Sequence, residues 1–168
     1  ISGGSHLDNN GRHGLGTVAG TTATISDSTV NGNGYNGVLA SGSRTSVTLA
    51  HVTIANARRS GISVPSGGAA TVMDSLITGS GSFNISVTKG SVRLAGAGNQ
   101  LTNSHRDGLL LSGSKATGRI ESSTSFVDNR GSGIVVASKA KLRMVHCEFS
   151  GNKHPIQKRS GGKVYNLA

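Results

Sequence analysis

Asp27, His51 and Asp74 follow one another at intervals of 24 and 23 residues, which would set an imidazole between two carboxylates if each interval were one turn of a coil. A histidine so flanked holds its proton more tightly and could serve as acid or base in elimination, hydrolysis or epimerisation of a uronate sugar. Opposite charges stacked on an exposed sheet face are also favourable with no reaction attached. A second set keeps the same rhythm: Arg12 and His13, Tyr35, Arg58 and Arg59, Phe83, His105 and Arg106, Arg130, then Lys153 and His154. These would form a stripe of cations and two aromatics, spaced to meet successive carboxylates or phosphates of an extended polymer. The competing reading is a solvated edge whose charges oppose aggregation. A third group gathers Lys115, Arg119, Lys139, Lys141, Arg143, Lys158, Arg159 and Lys163. Arg119 and Arg143, stacked in adjacent coils, repel unless an anion sits between them, so this group reads either as a docking face for an acidic partner or as a protected end.

The elements that would position these residues come from a repeat. A small residue followed by an aliphatic recurs at Gly14, Gly37, Gly61, Asn84, Gly108, Gly133 and, degenerate, Pro155, with spacings of 23, 24, 23, 24, 25 and 22. Seven residues before the first six anchors stand Leu7, Val30, Ile54, Ile77, Leu101 and Phe126, and Phe149 stands seven before Ile156. A second strand with alternating apolar positions precedes each of these, as in Ala23 and Ile25, Val47 and Leu49, or Leu142 and Met144. Period-2 alternation marks strands that bury one side. Strands recurring at this interval fit parallel coils, each leaving its apolar face and strand edges for the next coil to satisfy about 4.8 Å along. The expectation is an all-β fold, a right-handed parallel β-helix of about seven coils with 22–25 residues per coil. Asn10, Asn33, Asn129 and Asn152, three residues after the aliphatic column, read as turn residues that tolerate left-handed backbone and bond along the stack.

Composition agrees. Twenty-six glycines and two prolines among 168 residues, with abundant Ser, Thr and Val, disfavour helices and suit strands joined by tight turns. No apolar run approaches the roughly 20 residues of a membrane span. A single cysteine, Cys147, cannot form an internal disulfide and reads as a small buried residue. Seventeen Lys and Arg against seven Asp and Glu give a net charge of +10, which attracts anionic partners such as acidic polysaccharide, nucleic acid or lipopolysaccharide. The excess is uneven, +3 over residues 1–114 and +7 over 115–168. Few aromatics interleave with the basic residues, which weakens the nucleic-acid reading. Six scattered histidines with no carboxylate cluster predict no metal, and no cofactor is expected.

The pattern of an aliphatic or Phe, two residues, often Asn, three residues, then Gly and an aliphatic, as in TVNGNGYNGV and SFVDNRGSGI, resembles the right-handed parallel β-helix proteins of the pectate lyase-like superfamily. The resemblance runs from about Leu7 to Val164. It implies a family of pectin, pectate and alginate lyases, polygalacturonases, C5-epimerases, phage tailspikes and surface adhesins, and an extracellular or cell-surface location. Fold does not confer function. The polygalacturonase signatures Asn-Thr-Asp and Asp-Asp are missing, and only GRHGLG and GRIE approach its later motifs. Asp-Pro-His of alginate epimerases is absent, as are the Asp cluster and Arg-x-Pro of calcium-dependent pectate lyases. Even coil lengths leave no long loop to wall off a groove and exclude water.

Two readings follow. One is a β-helix scaffold and binding module, adhesin-like or tailspike-like, that engages anionic polysaccharide through Arg12, His13, Tyr35, Arg58, Arg59, His105, Arg106, Arg130 and Lys153. The other is a truncated or divergent lyase, hydrolase or C5-epimerase of uronate glycans using Asp27, His51 and Asp74. Residues 1–168 read as one β-helix domain, and the start at Ile1 part-way through a repeat reads as a fragment of a longer protein. Self-association is expected through an exposed pair, Leu110 and Val135, or through ends where neither Ile1 nor Ala168 looks like a cap.

Overall fold

The computed structural model describes residues 1–167, which form strands, turns and bends without a helix. Each coil repeats one order of parts: a strand leaves the anchor, a turn leads to a second strand, a sharp bend to a third, and a loop returns to the next anchor. The strands that follow the anchors form one seven-stranded parallel sheet, Leu15–Val18, Val38–Ser41, Ile62–Val64, Ile85–Val87, Leu109–Ser112, Ser132–Ala137 and His154–Lys158. This is the anchor sheet. The other eleven strands form two further faces, joined where Thr22–Asn31 and Ser46–Ala55 run unbroken through the bend. The second sheet comprises residues 22–26 and 46–50 with Ala69–Met73, Ser91–Ala95, Thr117–Ile120, Lys141–Met144 and Lys163–Asn166. The third comprises residues 28–31 and 52–55 with Leu76–Thr78, Asn99–Thr102, Thr124–Val127 and Glu148–Ser150.

The expected register is observed. Val38 pairs with Ile62, Ile62 with Ile85, Ile85 with Leu109 and Leu109 with Ile134. The aliphatic column pairs Val30 with Ile54, then Ile77, Leu101, Phe126 and Phe149 in turn. These side chains converge on one core, in which Ile54, Ile77, Leu101 and Phe126 are at most 1% exposed. Each such side chain contributes about 1.5–3 kcal/mol by leaving water. The anchor glycines exist because of this column. A Cβ on Gly37 would lie 2.6 Å from Ile54 Cγ2, and one on Gly61 would lie 2.4 Å from Ile77 Cγ2, so the loop closes there only without a side chain.

The left-handed turn residues stand one position before those expected. Asn9, Gly32, Asn56, Gly79, Asn103, Asp128 and Gly151 all have φ between 53° and 65°, and all but Asn9 directly follow the third-sheet strand of their coil. Asn10, Asn33, Asn129 and Asn152 follow them as an inner ladder instead. Asn10 Nδ2 donates to Asn33 Oδ1 at 3.0 Å and Asn129 Nδ2 to Asn152 Oδ1 at 2.8 Å. Glycine and Asn/Asp are the types that tolerate positive φ, so both columns draw on nearly the same residue types.

One further expectation changes. Val135 is 1% exposed, with Leu110 and Gln157 as its register neighbours on either side, so Leu110 and Val135 offer no exposed apolar pair. Of the two end residues, Ala168 lies outside the described residues, while Ile1 is 51% exposed and its ammonium donates to the Thr24 carbonyl at 3.0 Å.

Candidate functional site

The loop from third sheet to anchor sheet forms a corner along the whole coil stack, and its backbone is a ladder. Tyr35 N–H donates to the Arg12 carbonyl, Arg59 to Tyr35, Ser82 to Arg59, Arg106 to Ser82 and Lys153 to Gly131, at 2.7 to 2.9 Å. One position earlier, Arg58, His105 and Arg130 donate to the carbonyls of Asn33, Ser80 and Ser104 at 2.9 to 3.0 Å. The stripe read from the sequence is therefore two adjacent rows. Arg12, Arg58, Arg59, His105, Arg106, Arg130 and Lys153 are exposed on it, with Tyr35 39% exposed among them.

Aromatic rings hold part of this edge in place. The Arg59 guanidinium lies 4.2 Å from the Tyr35 ring centroid, and His13 meets the same ring edge-on at 5.4 Å. Arg106 lies 4.8 Å from the centre of Phe83. Such stacking orients a guanidinium without neutralising it. Burial, and then the nearby Arg12 cation, hold the His13 imidazole below its ordinary pKa. Among the described residues no carboxylate forms an ion pair with any Arg or Lys of this corner. Asp107 does stand there, but it is 8% exposed and its Oδ1 accepts the Ser132 N–H at 2.7 Å.

Toward the C-terminal coils the corner deepens into a depression of about 320 Å³, lined by His105, Arg106, Arg130, Lys153, His154 and Arg159 together with Ser132 and Gln157. Three successive coils thus contribute cations to one concave surface. Arg159 belongs here and not with Arg119 and Arg143, because the anchor strand carries it round to this side, where its Nη2 donates to Gln157 Oε1. Gln157 and Arg159 lay outside the stripe as read, since they follow the anchor and the stripe precedes it.

Asp27, His51 and Asp74 are neighbours in register, at the bend between second and third sheets. All three are exposed, Asp27 and His51 within the strands that run through the bend and Asp74 directly after Ala69–Met73. All three have left-handed backbone, with φ of 49°, 53° and 48°, and turn the chain at that corner. His51 Nδ1 lies 3.5 Å from Asp27 Oδ1, whereas Asp74 Oδ1 accepts the Gly98 N–H at 3.0 Å. The imidazole has one carboxylate contact, not two. His51 and Asp27 are 64% and 61% exposed, in a setting that neither excludes water nor concentrates charge.

Parallel coils, a continuous apolar core and a polar ladder inside the turns define a β-solenoid. A family model described as a right-handed β-helix region matches residues 4–167, so the chain belongs to the right-handed β-helix family. No curated protein and no solved structure matches it significantly. The fold supports a scaffold, a binding module or an enzyme, and the choice among them has to come from the site. No helix among the described residues is long and apolar enough to cross a membrane.

Proposed function

We propose that this protein is a β-helix surface module, adhesin-like or tailspike-like, that binds acidic polysaccharide along the loop corner and acts at a cell or virion exterior. The observation that carries this reading is the depression where Arg106, Arg130 and Lys153 arrive from three successive coils, free of ion pairs among the described residues. Coils follow one another at about 4.8 Å, so a polymer lying along the axis meets a positive group at each step or every other one. Solenoids bind extended ligands along such continuous edges. Titration calorimetry with polygalacturonate tests the reading. Replacing Arg59, Arg106, Arg130 and Lys153 together by Ala is expected to weaken binding at least about tenfold, as four exposed charge contacts of modest strength would. Wild-type binding falls as salt rises, because an exposed stripe is screened. Unchanged affinity in the variant, or indifference to salt, overturns the reading.

The enzyme reading keeps one supporting contact, that of His51 with Asp27. Assays for unsaturated uronate and for reducing ends on pectate, alginate and hyaluronan decide it. No turnover is expected, and turnover abolished by His51→Ala would put catalysis in place of binding.

A further inference from the structure

The outer face of the second sheet carries a separate column that reads Thr24, Thr48, Thr71, Arg93, Arg119, Arg143 and Tyr165 in register. Three guanidinium groups therefore stack one strand apart, about 4.8 Å, where like charges repel. Beside them Thr117, Lys141 and Lys163 are also in register, adding two ammonium groups. Between the first two arginines the chain supplies its own anion. Glu121 accepts from Arg93 Nε at 2.8 Å and from Arg119 Nε at 2.5 Å, and the two guanidiniums hold its carboxyl below the ordinary carboxylate range. Beyond Arg119 the column continues without another carboxylate: among the described residues Arg143, Lys141 and Lys163 form no ion pair. Arg93, Arg119, Lys141 and Arg143 border one shallow trough of about 510 Å³ whose lining is otherwise small, with Ala69, Thr71, Ser91 and Gly118 among it.

We propose that this face is a second binding surface for the carboxylates of an acidic polysaccharide, centred on Arg143, Lys141 and Lys163, where an external carboxylate takes the place that Glu121 takes between Arg93 and Arg119. The polymer class rests on the reading above; the surface itself does not. A planar carboxylate suits it because the guanidinium fork that grips Glu121 matches carboxylate geometry. In every coil one strand lies between this face and the loop corner on either side, the anchor strand one way and the third-sheet strand the other. One molecule thus presents cations on two separate sides and can bridge two polymer chains.

The experiment combines the corner variant described above with substitutions on this face, using polygalacturonate in calorimetry and turbidity. The corner variant is expected to retain a weaker, salt-sensitive site that disappears when Lys141→Ala and Arg143→Ala are added. Glu121→Gln frees two arginines for external carboxylates and tightens binding about threefold, the scale of one exposed ionic contact. Glu148→Gln makes the same change in net charge on the third sheet and leaves the affinity as it was. Wild-type protein turns the polymer solution cloudy at low ratios and clear in excess, while the corner variant and the face variant, each left with one surface, leave it clear. Equal effects of Glu121→Gln and Glu148→Gln would reduce the matter to net charge and overturn the proposal. No residual binding in the corner variant ends the second surface and leaves the corner reading standing; undiminished binding there ends the corner reading and leaves this one. A single-stranded oligonucleotide is run in parallel, and binding at this face by the oligonucleotide but not by the polyuronate also overturns it.

Discussion

His51 occupies a position where the backbone, before any chemistry, asks for a particular kind of residue. With φ at 53°, between Asp27 and Asp74 at 49° and 48°, it turns the coil from one sheet to the next. Asp, Asn and His are several-fold enriched among the non-glycine residues found there, which accounts for the three polar side chains in a row without a reaction. Cys147 is a second residue whose role is local. Ser28 Oγ, Ser75 Oγ and Thr124 Oγ1 each donate across the bend to the carbonyl two residues back, at 2.6, 2.7 and 3.3 Å, and Cys147 Sγ does the same to Val145 at 3.6 Å. Burial pushes the Cys147 thiol above its ordinary pKa of 9.0. A raised pKa in the folded state means that its contribution to stability is complete below pH 9.0 and is lost as pH climbs through the higher folded value. Cys147→Ser keeps the bond with a better donor, so it is expected to cost at most about 1 kcal/mol and to remove part of the alkaline destabilisation. Urea midpoints at neutral and alkaline pH check this, and a thiol reagent should label the wild-type protein quickly only once it is unfolded. Rapid labelling of the native protein would mean that the thiol is not held in this slot.

At the scale of the coil, the inner Asn ladder is the element most sensitive to a single change. Asn129 uses its whole amide: Nδ2 donates to the Leu101 carbonyl at 3.0 Å and to Asn152 Oδ1 at 2.8 Å, while Oδ1 accepts the Ser104 N–H and Asn84 Nδ2, both at 3.1 Å. Asn129→Ala would strand several of these partners in a fully buried site, at a cost of about 2–4 kcal/mol. Asn10→Ala, at the exposed start of the same column, should cost under about 1 kcal/mol. Denaturant melts of the two variants check the contrast, and equal losses would show that the ladder is not cooperative. The same element shows what could be read from the letters. The aliphatic column and the anchors were legible because each needs one residue class, apolar or small, at nearly fixed spacing. The left-handed column was misplaced by one residue because Asn serves both it and the ladder beside it, and only backbone geometry tells them apart. The cation stripe was legible as a rhythm. The basin that concentrates it was not, since Gln157 and Arg159 reach it from the other side of the anchor. The burial of Val135 was equally hidden, because strict alternation puts it outside.

The whole molecule carries +10, of which +7 falls after residue 114, and the coil stack sets those charges at strand spacing instead of scattering them. Four ion pairs are formed among the described residues, and two of them require a protonated histidine, so cation repulsion outweighs pairing across the surface. Net charge of this size opposes the compact state through self-repulsion, and salt screens that repulsion beyond about 10 Å at ordinary ionic strength. Raising sodium chloride from low to moderate concentration should therefore raise Tm, by about 2–4 °C for each kcal/mol of repulsion relieved in a chain of this length. A chain held together by surface ion pairs would respond with the opposite sign. Thermal melts followed by circular dichroism over a salt series separate the two. The gain should shrink in a Lys141→Ala, Arg143→Ala and Lys163→Ala variant, because those three side chains sit in adjacent columns of the second sheet on its two most C-terminal strands. A gain of the same size in that variant would place the repulsion elsewhere, along the loop corner. Salt that lowers Tm in the wild-type protein would overturn the account of the surface as a field of uncompensated cations.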